Sequence, residues 1–168
     1  MPLLTLVRRI AVDQLDPIEN QQQSKPDYHL ALDSEERTRS RLKFKSIEGE
    51  MLQLQLPRGT VLRDGDLLLS ADEQQLVKVI AKPEAVLTIT ATDRLSLLKA
   101  AYHLGNRHVP LELTPHYLRL APDSVLADML TKMGLQITAE TVTFQPEAGA
   151  YGSSHDHHSG RAGKSHAH

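Results

Sequence analysis

Residues 86–105 read VLTITATDRLSLLKAAYHLG, in which a strand pattern passes directly into a helix pattern. The apolar run from 86 to 91 predicts a strand. Thr92 or Asp93 is suited to cap the helix that follows, because a short polar side chain accepts a hydrogen bond from the first turn. That helix carries one apolar face at helical spacing and meets a glycine at its end: Leu95, Leu98, Tyr102 and Gly105.

The chain downstream of this helix predicts a hairpin, a second helix and a last strand. The predicted segments are strands at 109–113 and 117–120 around a proline turn at 114–116, a helix capped by 122–124 and ended by Gly134, and a strand at 135–144. The apolar stripe of the second helix is Val125, Leu126, Met129, Leu130 and Met133. The order β-α-β-β-α-β predicts a ferredoxin-like domain, with two helices on one face of a four-stranded antiparallel sheet.

Residues 1–70 show a different pattern, which is typical of an all-β domain. Apolar residues alternate with polar ones, as in Leu52, Leu54 and Leu56, and turn residues separate the runs. The polar stretch at 70–75 lies between the two patterns, and we expect the domain boundary there. The predicted fold class is therefore α+β, with an N-terminal all-β domain at 1–72 and a ferredoxin-like domain at 73–148.

Composition excludes several classes of protein and site. The 168 residues include 19 Lys and Arg and 21 Asp and Glu, so a strongly charged partner is not required. There is no cysteine, which excludes disulfides, thiolate metal sites and cysteine nucleophiles. Aromatic residues make up 4%, too few to favour stacking on nucleic-acid bases. The apolar start meets Arg8 and Arg9 too soon for a signal peptide or a membrane span, so we expect a cytoplasmic protein without membrane contact.

Histidine is concentrated in residues 149–168, where the other residues are mostly small or polar. A segment of this composition cannot bury enough apolar surface to fold, and we expect a flexible tail. Imidazole is a good ligand for nickel, copper, zinc and cobalt ions, so the tail predicts transition-metal binding. Its candidate ligands are His155, His157, His158, His166 and His168.

His108 ends the sequence Gly105-Asn106-Arg107-His108, just past the first predicted helix. A single imidazole binds a metal ion weakly, and most histidines at such a boundary are only hydrogen-bonded. A symmetric dimer would bring two copies of His108 together on its two-fold axis and so double the number of ligands. The other histidines, His29, His103 and His116, have no histidine at ligand spacing, and we expect structural roles for them.

Basic residues alternate along residues 37–46, which predicts a strand with five cations on one side: Arg37, Arg39, Arg41, Lys43 and Lys45. One interpretation is a solvated sheet face or a charged edge that discourages aggregation between strands. The other is a surface that binds an acidic partner protein. The sequence leaves both interpretations open.

Motifs of the common catalytic sites are absent from the sequence. It contains no phosphate-binding loop of the GxxxxGK type, no GxSxG nucleophile elbow and no HExxH. The turn at 64–66 lacks the remaining oxygen ligands of a calcium-binding loop. We therefore expect a protein that is not an enzyme.

Several segments together resemble the urease accessory nickel chaperones of the E type. In the N-terminal half these are RTRSR at 37–41, LPRGT at 56–60 and LRDGD at 62–66. In the C-terminal half they are AYHLGNRHVPL at 101–111, the segment 123–130 and the histidine-rich end. The resemblance covers nearly the whole chain. One departure is the sequence LAPDS at 120–124, where some members carry additional histidines.

The resemblance implies a homodimer built through ferredoxin-like domains, with a metal ion held between subunits by the two copies of His108. It implies an N-terminal β domain for peptide or partner binding and tail histidines that add ligands. The cargo would be Ni²⁺, given to urease with the help of the other accessory proteins, including the GTPase. Cu²⁺, Zn²⁺ or Co²⁺ would compete, since copper binds nitrogen ligands at least as tightly as nickel.

Three hypotheses follow, from three classes of protein. The first is a nickel metallochaperone that works by ligand exchange at His108. The second is a protein-interaction scaffold whose histidine tail serves only as a nickel reservoir or buffer. The third, a metal-dependent hydrolase, would need a carboxylate base near the ion, and the sequence offers no such pairing.

Overall fold

The chain has a mixed α/β structure with two sheets, and the computed structural model describes residues 3–14 and 25–149. The strands of the first sheet are β1 (Leu4–Ile10), β2 (Tyr28–Leu32), β3 (Lys43–Lys45), β4 (Met51–Leu54), β5 (Leu67–Ser70) and β6 (Leu76–Ala81). Their order is β2-β6-β5-β1-β4-β3, so β2 and β3 lie at the two edges.

The second sheet carries both helices. Its elements in chain order are β7 (Glu84–Thr90), α1 (Arg94–Gly105), β8 (Glu112–Leu113), β9 (Leu118–Leu120), α2 (Ser124–Lys132) and β10 (Gln136–Val142). The strand order is β10-β7-β9-β8, with every neighbouring pair antiparallel. The element order predicted from residue 86 onward is therefore the order that the structure has. Neither helix of the described residues is long and apolar enough to cross a membrane.

Each sheet has its own apolar core. Leucines and valines of β1, β2, β4, β5 and β6 fill the first core. In the second core, Leu104 of α1 and Leu130 of α2 belong to one cluster with Ile89 of β7, and all three are fully buried. Because both helices contribute to one cluster, they lie on the same face of the second sheet. Burial of each leucine side chain contributes about 1.5–3 kcal/mol to folding.

The boundary between the two units lies later than predicted. β6 pairs with β5 and with β2, so the first sheet continues to Ala81 and the second begins at Glu84. The polar residues at 71–75 form the turn between β5 and β6, held by the hydrogen bond from the Gln75 amide to the Ser70 hydroxyl, 3.0 Å long. The change of composition at 70–75 therefore marks a hairpin turn and not a domain boundary. The boundary between the predicted ranges 1–72 and 73–148 falls inside the first sheet, between β5 and β6.

The prediction of one strand over residues 37–46 is wrong. Glu36–Thr38 forms a single turn of 3-10 helix, and only Lys43–Lys45 is a strand. The turn forms because Asp33 and Glu36 each accept a hydrogen bond from the other's backbone amide, at 2.8 and 2.9 Å, which is the reciprocal pattern of a capping box. Its central residue, Arg37, is 1% exposed and so does not belong to a surface for partners.

Arg37 instead joins the two units. Its guanidinium donates to the side-chain oxygen of Gln145 and to the backbone oxygen of Phe144. Burial lowers the pKa of Arg37, while nearby carboxylates, Glu84 first among them, raise it. Ser34 adds a second link, because its amide and hydroxyl donate to the two carboxylate oxygens of Glu84 at 2.7 and 2.6 Å. The segment that leads to the tail is thus held by the first unit.

Candidate metal centre

The end of α1 is built around a left-handed residue, and that residue is His108, with φ 55°. Its amide donates to the Gly105 oxygen at 3.0 Å, and the Val109 amide donates to the Leu104 oxygen at 3.3 Å. This pair of hydrogen bonds is the Schellman motif, in which a glycine usually takes the left-handed position. Gly105, the predicted terminator, is instead the last residue of the helix.

A non-glycine residue in the left-handed region costs about 1 kcal/mol, although histidine is among the residues that tolerate it best. His108 is exposed, and its imidazole forms no hydrogen bond within the part of the chain that the structure describes. The same part contains no group of three or more histidines and carboxylates that could hold a metal ion. Among the exposed histidines of the described residues, His108 is the one whose backbone is left-handed, and one chain supplies a single imidazole at this turn.

Arg107 precedes this imidazole and is tied back to the helix. Its guanidinium donates to the His103 oxygen at 2.9 Å, where a cation also interacts favourably with the helix dipole. The His103 ring lies edge-on to Tyr102, with 5.4 Å between the ring centres. His103 lies in the last turn of α1, and the structural role expected of it stays a prediction.

The outward face of α1 is apolar. Leu95, Leu98 and Tyr102, at helical spacing, are 59, 66 and 67% exposed, whereas the buried residues of the same helix are Leu97, Ala100 and Leu104. Val125, which the sequence places in the apolar stripe of α2, is also exposed. Three large apolar side chains on one helix face form a patch of the kind that marks an interaction site.

The C-terminal segment returns to the residues that follow His108. The Glu147 amide donates to the Leu111 oxygen at 2.6 Å, and the Gln145 amide donates to a Glu112 carboxylate oxygen at 2.8 Å. Leu111 lies three positions after His108, a span of at most about 11 Å. The predicted tail ligands, His155, His157, His158, His166 and His168, lie outside the described residues.

The other two histidines outside the tail have contacts of their own. The imidazole of His29 lies 2.6 Å from a Glu48 oxygen, and its amide donates to the other oxygen at 2.9 Å. These bonds, the amide first, lower the pKa of Glu48 to about 2 and tie β2 to the turn after β3. The amide of His116 donates to the Thr114 hydroxyl in the hairpin turn.

The basic residues predicted to bind a partner separate into three groups. Arg37 is buried, and Arg39 forms an ion pair with Glu35, with 2.8 Å between nitrogen and oxygen. The remaining three, Arg41, Lys43 and Lys45, are exposed and form no ion pair with any residue that the structure describes.

Comparison with known proteins gives one family for both units. The family model described as UreE urease accessory protein, N-terminal domain, matches residues 10–82, and the corresponding C-terminal domain model matches residues 84–168. The two matches divide where β6 ends and β7 begins.

Curated relatives agree. "Urease accessory protein UreE" of Nostoc sp. (strain PCC 7120) is 57% identical over 128 residues, covering 76% of this chain and 87% of that protein. The protein of the same name from Nostoc punctiforme is 56% identical over 131 residues, covering 78% and 88%. That from Microcystis aeruginosa is 55% identical over 129 residues, covering 77% and 81%. This chain therefore belongs to the UreE family of urease accessory proteins.

Proposed function

We propose that this protein is a nickel metallochaperone, which binds Ni²⁺ through His108 of two copies and gives the ion to urease during assembly of its active centre. As a urease accessory protein it is not an enzyme. The observation that carries the proposal is the exposed imidazole of His108 at a backbone position that favours glycine. Left-handed backbone at a non-glycine residue clusters at functional sites. Of the two such residues in the described chain, Glu73 lies in a hairpin turn and His108 at a helix end where glycine is usual.

The apolar face of α1 supports a homodimer. Leu95, Leu98 and Tyr102 lead along the helix toward His108, so burial of this face against its own copy would bring the two imidazoles toward a common axis. Two nitrogen ligands replace one, and the ion is shared between subunits. The βαββαβ order and the strand order β10-β7-β9-β8 support a ferredoxin-like domain as the unit that dimerises.

The position of the C-terminal segment supports a contribution from the tail. His155 lies eight positions after Glu147, and this length of chain can span up to about 28 Å, more than the span of at most about 11 Å from Leu111, the partner of Glu147, back to His108. Tail histidines of either copy could therefore complete the coordination of a shared ion. Exposed imidazoles exchange their ions readily, as transfer to an acceptor requires. Copper, zinc and cobalt ions would compete for the same nitrogen ligands.

Transfer of Ni²⁺ requires partner proteins. We propose that these partners are urease and the other urease accessory proteins, including the GTPase, and that transfer takes place in the cytoplasm. Selectivity for nickel would come from these partners and from coordination geometry, since imidazole affinity alone favours copper.

Calorimetry of Ni²⁺ binding above pH 7 tests the proposal, combined with light scattering for the mass. The full chain, a chain ending at Ala148 and both forms with His108→Ala are compared. We expect the shortened wild-type dimer to keep one tight ion and the His108→Ala dimer to lose it. His103→Ala, at an exposed histidine in the last turn of α1 and five residues before His108, is the matched control and should keep the ion. If removal of the tail by itself abolishes all nickel binding, the result would instead support a scaffold with a histidine reservoir.

A further inference from the structure

The edge strand β3 has free backbone groups on its outer side. Its register with β4 places Phe44 opposite Leu52. Hydrogen bonds from the Leu54 amide to the Leu42 oxygen (2.9 Å) and from the Ser46 amide to the Glu50 oxygen (2.8 Å) continue the same ladder. Because bonded and non-bonded pairs alternate in an antiparallel ladder, residues 42, 44 and 46 face β4. Residues 43 and 45 therefore direct their amide and carbonyl groups outward.

Nothing within the described residues bonds to the outward groups of Lys43 and Lys45. The next outward amide, that of Ile47, donates to the His29 oxygen of β2 at 2.8 Å, so the open edge ends after Lys45. The free groups are two donors and two acceptors in register for an added strand. The residues that carry them are Lys43 and Lys45, both exposed, and their side chains share one face because they are two apart. Arg41, at the same spacing, extends the cationic row. Free backbone groups and unpaired cations thus coincide on one edge.

The side chains between the lysines have the opposite character. Phe44 is half-buried and packs on the first core, and Leu42 on the same side of the strand is 47% exposed. A groove of about 510 Å³, lined by residues 41–43 and 53–55, lies over β3 and β4 and is separate from the outer edge of β3. A strand added at that edge would place one residue opposite Phe44 on the core side and its neighbours opposite the lysines.

We propose that β3 is the docking edge for an extended acidic segment of a partner protein, which joins the first sheet as a further strand with the pattern acidic, apolar, acidic. Side chains directly opposite each other on neighbouring strands are about 4.5–5.5 Å apart, close enough for each carboxylate to pair with a lysine. Backbone hydrogen bonds provide affinity and the alternating side chains provide specificity. The proposal does not depend on the nickel site.

Charge also decides against a second copy of this chain as the occupant. Two β3 strands placed edge to edge would oppose lysine to lysine, and like charges in that position are destabilising. Lysines on an edge strand protect it from self-association. If the lysines served only to prevent self-association, neither acidic nor neutral peptides would bind to β3. Binding that favours acidic peptides therefore distinguishes docking from protection.

Binding of synthetic peptides to the full chain tests the proposal. The probe is a capped peptide of alternating Glu and Val, followed by amide chemical shifts of the protein and by fluorescence anisotropy. We expect shifts at residues 41–46 and binding at least about tenfold tighter than that of the same peptide with Gln in place of Glu. The Glu peptide with N-methyl groups on the amides that face β3 keeps its charge but cannot form the ladder, and it should also lose affinity at least about tenfold.

Variants of the protein locate the contact. Lys43→Glu combined with Lys45→Glu should abolish binding of the Glu peptide and permit binding of a Lys and Val peptide. Lys78→Glu is the matched control, since Lys78 is exposed but lies on β6, whose backbone is bonded on both sides. Equal affinity for all peptides, or no binding at millimolar concentration, would overturn the proposal and leave the lysines a protective role.

Discussion

The two helices of the second sheet end with the same backbone motif but with different residues at its central position. The hydrogen bonds at α1 are His108 amide to Gly105 oxygen and Val109 amide to Leu104 oxygen, and those at α2 are Gly134 amide to Thr131 oxygen and Leu135 amide to Leu130 oxygen. The left-handed residue of α2 is Gly134, with φ 83°, whereas that of α1 is His108, with φ 55°. In both, the residue after it contributes to the core.

We attribute this difference between the two helix ends to the metal-binding role that we propose for His108. Glycine adopts the left-handed region without the steric cost that a Cβ atom brings, and α2 uses it. At α1 the chain bears that cost and gains an exposed imidazole. Places where local rules are broken while the surrounding structure stays regular are where functional side chains are expected.

Replacing the strained residue by glycine should have the largest effect on binding. His108→Gly removes the proposed ligand from both copies and lowers Ni²⁺ affinity at the interfacial site by at least about 100-fold, which corresponds to about 2.7 kcal/mol. Without metal, the free energy of unfolding should stay unchanged or rise by up to about 1 kcal/mol, because the backbone strain is relieved. Calorimetry and urea unfolding of the metal-free protein measure the two effects.

His108→Ala provides the control, since it removes the imidazole but keeps the Cβ atom in the left-handed region. It should lose nickel affinity equally and be less stable than His108→Gly. If His108→Gly is instead less stable than the wild type, the imidazole contributes to folding, and the contrast between the two helix ends would disappear.

The reverse substitution tests the same contrast at α2. Gly134→His should lower the free energy of unfolding by about 1 kcal/mol, because a Cβ atom would meet nothing within 4 Å and the cost is conformational alone. Urea unfolding measures it. Gly149→His, at an open position without positive φ, is the matched control and should leave stability unchanged. Tight nickel binding by Gly134→His would show that any exposed histidine at a helix end suffices.

Local patterns in the sequence predict the features that depend on local interactions. The order of strands and helices from residue 86 follows from hydrophobic period and turn residues. Asp93 is the N-cap of α1, with its carboxylate accepting from the Ser96 amide at 2.8 Å. His108 follows that helix as expected, and its role as a metal ligand stays a prediction.

The remaining features depend on contacts that the pattern does not contain. Residues 95–104 offer two apolar faces, and only packing decides that Leu97 is buried and Leu98 exposed. α1 includes Gly105 as its last residue, because glycine tolerates helical backbone as well as left-handed backbone. β6 belongs to the first sheet through pairing with β2, nearly fifty residues earlier in the chain. The helical turn that contains Arg37 could have been predicted, since Asp33 and Glu36 have capping-box spacing.

Gly105 adds a third glycine position to the comparison of the helix ends, because its backbone conformation does not require glycine. It lies inside α1 without positive φ, and an added Cβ atom would meet nothing within 4 Å. Gly105→Ala should therefore raise the free energy of unfolding by about 0.5–1 kcal/mol, as measured in urea. Light scattering completes the test. If Gly105→Ala instead dissociates the dimer that we propose, a second copy approaches Gly105 closely, and the glycine serves the interface rather than the helix.

The beginnings of the two helices give the smallest expected effect. Both start with an aspartate N-cap, but Asp93 accepts from the hydroxyl as well as the amide of Ser96, whereas Asp123 accepts from the Leu126 amide. The Ser96 hydroxyl, followed by its amide, holds the pKa of Asp93 below its ordinary value. Ser96→Ala removes the larger cause, so the pKa of Asp93 should rise toward that value in a carboxyl-carbon NMR titration.

The sign of the linkage follows from that lowered pKa. Stability from the ionised cap is fully present above the ordinary carboxyl pKa and is lost as the pH falls through the lower, folded-state value. Ser96→Ala narrows the difference between folded and unfolded pKa, so its unfolding free energy should depend less on pH between about pH 5 and about pH 3. Thr92→Ala, at the neighbouring exposed residue, should leave this dependence unchanged. If the unfolding free energy of Ser96→Ala depends on pH as steeply as that of the wild type, the Ser96 amide alone lowers the pKa of Asp93. The two helices would then differ only in the left-handed residue at their C-terminal ends.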